Sequence, residues 1–242
     1  MATKSSKYGK VSFYAMVAEQ VRMDVANIYE LYNFSTDYYA EERSRLAKSS
    51  SRHPALPDEY WADETHRLSV IRRQFGYAVA ILLSSAIEDG LKRLIARLEH
   101  DDPSAGTKFS HTYASMRGKN FLEKYALFHR DNFGTDFWTG ISPLARKGNL
   151  SWLPDELDMD IGTIDLTLLL DFVWARNKIV HHSGELRTRQ PLDQERRRQV
   201  PVEELLDKRS RIAVQKEYIE RVTQHSIAFF DRTIADLRSR YD

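Results

Sequence analysis

Proline and glycine, the residues that most strongly interrupt regular backbone, number only 7 and 10 in 242 residues, and they are bunched rather than spread. Between the bunches, apolar residues recur every three or four positions, the spacing of one helix face. The first such segment runs from about Val11 to Ser49, with Phe13, Val17, Val21, Val25, Ile28 and Leu31 on one side. Pro54 and Pro57 mark a turn, and Asp58, well placed as an N-cap, opens a second long helix reaching about Glu99. Its stripe is Val70, Phe75, Val79, Leu82, Ala86, Leu94 and Leu98. His100–Thr107 reads as a loop, Lys119–Arg130 as a shorter helix, and 131–162, rich in Gly, Pro, Trp and Asp, as irregular chain. A further helix is expected from about Thr163 to His182, with Gly184 as its C-terminal cap. Ile212-Ala213-Val214 reads as a brief extended piece, and Gln215–Arg240 as the final helix. This pattern predicts an all-α protein, with residues 58–242 forming a helical bundle and residues 1–57 a helical extension.

Composition narrows the function classes. An apolar fraction of 42% is enough for a proper core. Charged residues make up 29% but nearly cancel, to +1, so net charge argues neither for nor against nucleic acid. The absence of cysteine excludes disulfide scaffolds and thiolate metal sites. Met1–Lys10 is polar and basic without an apolar core behind it, which predicts no signal peptide. The longest strongly apolar run, Tyr77–Ile87, is short for a bilayer and holds Ser84 and Ser85. The expectation is a soluble, cytoplasmic protein without a membrane segment.

The sharpest chemical feature is Arg176-Asn177-Lys178-Ile179-Val180-His181. Leu166, Leu169, Val173, Arg176 and Val180 fall on one stripe of their helix, so Arg176 interrupts an apolar face. Asn177 lies beside it, and His181 follows Asn177 by four residues, which lets the two side chains meet. An Asn there can hydrogen-bond one imidazole nitrogen and set the tautomer of the other. Burying Arg, Asn and His without partners is costly, so such a grouping points to a partner or a reaction. The chemistry that suits it is attack on a phosphodiester. Histidine moves protons near neutral pH, and arginine holds a phosphate and stabilises the charge that grows on it. RNA supplies its own nucleophile, the 2′-hydroxyl, so the reaction calls for no metal and no cofactor.

These residues carry a family resemblance. Arg176-Asn177-x-x-x-His181 is similar to the Arg-Asn-x-x-x-His motif of the HEPN (higher eukaryotes and prokaryotes nucleotide-binding) domains, and the run from Phe172 to Gly184 resembles that family's motif helix and glycine exit. Ala80–Ile95 resembles its first core helix, which often carries a glutamate at the place of Glu88, and Ile212–Leu237 resembles its short extended piece and last helix. The likeness covers roughly Arg67 to Arg240, and Met1–Ser51 has no clear counterpart in it. The resemblance implies an up-and-down bundle of four or five helices, to which the long N-terminal helix read from the spacing is appended. It also implies a metal-independent endoribonuclease that leaves a 2′,3′-cyclic phosphate, of the kind found in toxin–antitoxin, abortive-infection and CRISPR systems. The family's cleft forms between two domains, so one copy per chain implies a homodimer, with RNA as substrate and an antitoxin or defence-system protein as a further partner. Arg176, Asn177 and His181 are then the catalytic set, with Glu88, Lys178 and His182 in support. Other members keep the fold only to bind a nucleotide or a partner.

Each candidate has a plainer reading. Arg176 can pair with Glu88 inside the bundle, and Glu88 can instead sit exposed beside Lys92. His181 can serve only as a favourable charge at a helix C-terminus. His53, His66, His100, His111, His129 and His225 are scattered without metal-ligand spacing. Arg187, Arg189, Arg196, Arg197, Arg198, Lys208, Arg209 and Arg211 could contact phosphates, but the interspersed acids favour a merely solvated segment. Tyr14, Tyr29, Tyr32, Tyr38 and Tyr39 either stack bases or, the stronger expectation, pack the first helix against other helices or a second subunit.

Overall fold

The structure is a computed structural model and describes residues 5–53, 56–101, 164–186, 200–205 and 209–241. It is mostly helical. Helix α1 spans Ser5–Arg52, α2 Asp58–Asp101, α3 Leu166–His182 and α4 Lys216–Tyr241. Three short strands, β1 (Glu185–Leu186), β2 (Val202–Glu204) and β3 (Ser210–Ile212), lie between α3 and α4 in the chain. They form an antiparallel sheet in the order β1-β3-β2, with Glu185 opposite Arg211 and Val202 opposite Ile212. The expected extended piece at Ile212–Val214 is therefore the end of β3, placed two residues earlier and paired on both sides. The readings made for 102–163 and for the arginines of 187–199 lie outside the described residues.

The turn between α1 and α2 is closed by local hydrogen bonds, His53 N–H to the Ser49 carbonyl at 3.0 Å and Tyr60 N–H to the Pro57 carbonyl at 3.0 Å. Helix α3 begins at Asp165, whose carboxylate oxygen accepts the Leu168 N–H at 2.9 Å. This side-chain cap fixes the helix start after the Thr163 expected from the sequence. The Asp165 N–H in turn donates to His225 Nδ1 at 3.0 Å, which gives one of the scattered histidines a structural task.

The described residues fall in two compact units. One gathers the described parts of Met1–Met23, Ser85–Val173 and Gln224–Asp242; the other comprises those of Asp24–Ser84 and Trp174–Thr223. Residues of α1 belong to both. In the first unit Val17, Ala18, Val21, Ile87, Leu94, Leu168, Leu169, Phe172, Phe229 and Phe230 are buried. The Phe229 and Phe230 rings meet edge to face at 5.7 Å between centroids. Gly90 is the point of closest approach there. A methyl group on it would run into Cγ2 of Val21 and stand 3.2 Å from the Phe230 ring. Helix propensity alone would make Gly90→Ala stabilising by about 1 kcal/mol. The stiff, β-branched Val21 cannot yield, so overpacking of roughly 1–3 kcal/mol outweighs it. Gly90→Ala is expected to lower the denaturant midpoint, and adding Val21→Ala to restore part of it; a Gly90→Ala protein as stable as the parent would contradict this packing.

In the second unit Val25, Tyr32, Tyr77, Val79, Ala80, Leu83, Ala175, Ile179, Ile212, Ile219 and Val222 are buried. The buried face of α2 agrees with the expected stripe at Val79 and Leu94 but not at Leu82. Tyr77, Ala80, Leu83 and Ile87 point in, and Leu82 is 49% exposed. On α1, Tyr32 takes the inward place expected of Leu31, which is exposed. By length and hydropathy the Asp58–Gly90 part of α2 could cross a membrane, and the same stretch supplies Val79, Ala80, Leu83 and Ile87 to the core.

Candidate active site on the motif helix

Helix α3 presents Leu168, Leu169, Phe172, Val173, Ala175 and Ile179, together with the acidic Asp171, as its buried positions. At 100° per residue, Arg176 falls within this arc, between the directions of Phe172 and Val173. The structure accordingly holds Arg176 half-buried, with its Nε fully buried and without a hydrogen-bond partner among the described residues. Its Nη1 donates to the Asn177 side-chain oxygen at 2.9 Å. Val180, expected on the same stripe, is 45% exposed near the helix end.

The Asn177 oxygen is thus engaged by Arg176. The bond envisaged between Asn177 and the His181 imidazole is not formed; among the described residues His181 makes no hydrogen bond. His181 and His182 are both exposed in the last turn of α3. The five-residue step from Arg176 to His181 sets them about 140° apart around the helix axis, with Asn177 between. Lys178 lies on a third side, its Nζ 5.6 Å from the centroid of the Trp174 ring. Glu88 is half-buried on α2, next to the buried Ser84 and Ile87. Arg176 and Asn177 are therefore brought together, and His181 presents its imidazole outward one turn later.

The exit from the motif helix is tightly built. Ser183 and Gly184 both have left-handed backbones, with φ of 52° and 78°, and the Gly184 N–H reaches back to the Lys178 carbonyl at 3.0 Å. The Gly184 carbonyl accepts the Ile212 N–H at 2.9 Å, tying the helix end to β3. The Tyr77 hydroxyl donates to the Ile212 carbonyl at 3.1 Å and lies against Gly184 so closely that no Cβ fits there. Just beyond β3, Val214 packs on Gly76 of α2, and its carbonyl accepts the Tyr32 hydroxyl at 2.9 Å. Burial pushes the Tyr32 and Tyr77 phenols above the ordinary tyrosine range, against opposing pulls from Arg72 and Arg211 respectively. Tyr32, expected to pack or stack, and Tyr77 thus anchor the strand behind the motif through their hydroxyls. A hint was available in Gly76 and Tyr77, a small residue beside a polar-tipped aromatic within an apolar helix.

Of the basic residues near the sheet, Arg209 pairs with Glu185 at 2.9 Å, and Arg211 lies 3.5 Å from Glu203 of the neighbouring strand. The Arg209–Glu185 pair is exposed and worth about 0–1 kcal/mol, whereas the Arg211 side chain is only 17% exposed. This favours the solvated reading for Arg209, while the mostly buried Arg211 fits neither the solvated reading nor an open phosphate contact. Among the described residues no group of three or more His, Asp or Glu side chains is arranged to hold a metal ion.

Against known proteins, no family model matches the chain, and neither a curated protein nor a solved structure is significantly similar to it.

Proposed function

We propose that this chain is a metal-independent endoribonuclease of HEPN type, with an up-and-down bundle fold, that works as a cytoplasmic homodimer. The observation that carries the proposal is the combination at the end of α3 of a half-buried Arg176, oriented by Asn177, and an outward His181. Arg176 and His181 diverge around their helix, so one chain does not aim both at one phosphate. Two copies with their α3 ends facing across a cleft would supply an Arg176 and a His181 from each. In that site one His181 takes the proton of the RNA 2′-hydroxyl, and the 2′-oxygen attacks the adjacent phosphorus. The Arg176 guanidinium groups stabilise the added negative charge. The other His181 gives a proton to the departing 5′-oxygen, leaving a 2′,3′-cyclic phosphate and a 5′-hydroxyl. Lys178 and His182 are assigned supporting places around this centre, as the family resemblance suggests.

Such an activity suits phage defence or toxin–antitoxin growth arrest. Expression in a bacterial host is expected to stop growth, and Arg176→Ala or His181→Ala to relieve the arrest at equal protein level. A second reading, a non-catalytic module that binds a nucleotide or a protein partner in the same polar region, draws on one observation: Asn177 is taken by Arg176, and nothing described within one chain fixes the His181 imidazole. On that reading, expression is harmless and a ligand raises the melting temperature without being turned over.

A further inference from the structure

Away from the motif, a solvent-open cavity of about 560 Å³, most of whose lining residues are exposed, lies between α1 and α2, toward the helix turn. That volume lies within the range of small-ligand sites. No carboxylate lines it, whereas two arginines do, Arg43 from α1 and Arg72 from α2. Neither makes an ion pair with a described residue. The contrast with their neighbours is informative. Arg45 pairs with Glu42 at 2.6 Å, and Arg67 with Glu64 at 2.7 Å, within the same two helices but outside the cavity lining. Arg43 and Arg72 are likewise exposed, but neither has an acid three or four residues away on its helix.

The rest of the lining is amphiphilic. The Ser44 hydroxyl has no hydrogen-bond partner among the described residues and can donate. Thr36 and Thr65 give their hydroxyl protons to the carbonyls of Tyr32 and Trp61, leaving their oxygens as acceptors. Leu68, Ala40 and the half-buried Tyr39 ring supply an apolar wall. Tyr39 is itself braced edge-on against Phe75, with centroids 6.5 Å apart, so its ring offers a fixed surface.

We infer that this cavity binds a nucleoside diphosphate. Two uncompensated guanidinium groups match two phosphate charges, for which the planar arginine fork is the preferred donor. Tyr39 and Leu68 receive the flat base, and the threonine oxygens accept from ribose hydroxyls or an exocyclic amine. The inference is independent of the ribonuclease reading, since none of these residues belongs to the motif helix.

The test titrates the full-length protein with N-methylanthraniloyl-ADP and follows fluorescence anisotropy, with unlabelled ADP, adenosine and pyrophosphate as competitors. Saturable binding is expected, displaced by ADP better than by adenosine or pyrophosphate. Arg43→Ala and Arg72→Ala should each weaken it by about tenfold or more, with helical circular dichroism unchanged. Arg45→Ala and His181→Ala should bind as the parent does, the latter even when ribonuclease activity is lost. Absence of saturable binding, or binding indifferent to both Arg43→Ala and Arg72→Ala, would overturn the inference. Binding of a single-stranded RNA oligonucleotide, but not ADP, through these two arginines would also overturn it, marking the cavity as a backbone track instead.

Discussion

RNA cleavage by the His181→Ala protein is expected to fall by about 10²- to 10⁴-fold, the usual contribution of a positioned general acid or base. The melting temperature should stay within about 1–2 °C of the parent, as for other exposed substitutions. His181 is exposed and makes no hydrogen bond with a described residue, so its truncation removes an imidazole and little else. Arg176 behaves differently. Its half-buried guanidinium is tied to Asn177, so Arg176→Ala should disturb the local structure as well as activity. Arg176→Lys should not restore cleavage, because an ammonium group lacks the planar fork that grips two phosphate oxygens. Loss of cleavage by His181→Ala together with loss of the fold would instead make the histidine a structural helix-end residue.

The second large effect concerns Gly184. Its φ of 78° is expensive for a residue with a side chain, by roughly 1–2 kcal/mol. An added Cβ would also collide with the Tyr77 hydroxyl, itself held on the Ile212 carbonyl, at an overpacking cost of about 1–3 kcal/mol. Gly184→Ala is therefore expected to destabilise by about 2–4 kcal/mol, roughly 5–15 °C in Tm for a chain of this size. Tyr77→Phe alone should cost about 1 kcal/mol, the net worth of one hydrogen bond. In the Gly184→Ala background the same change removes the nearer colliding atom and leaves Cζ, so the double variant should recover part of the clash and lose less than the sum of the two. Additive losses in calorimetry would mean that Tyr77 and Gly184 do not share this contact.

The helices were legible because their signals are local. Periodic apolar spacing located α1, α2, α3 and α4, and Gly184 was readable as the end of the motif helix because a left-handed exit favours glycine. The inward face of α2 was legible only in part, at Val79 and Leu94. Tyr77–Ile87 is apolar nearly all round, so spacing cannot say that Leu83 turns in and Leu82 out. That choice depends on distant partners, such as the Ile212 carbonyl that receives the Tyr77 hydroxyl. The sheet was mostly hidden for a similar reason. Strands of two and three residues carry no alternation to detect, and β1 finds β3 across more than twenty positions of chain. Within the site, the grouping of Arg176, Asn177 and His181 was visible as a pattern on one helix. Which of its neighbours Asn177 would bond was a matter of side-chain rotamers, and the structure gives that place to Arg176.

The most direct test of the central claim incubates the purified protein with end-labelled total RNA in excess EDTA, beside the His181→Ala variant, and analyses the product ends. The account predicts cleavage by the parent alone, with 2′,3′-cyclic phosphate at the new 3′ ends and hydroxyl groups at the new 5′ ends. Intact RNA with the parent protein under conditions where it is dimeric, or equal cleavage by the His181→Ala variant, would contradict it.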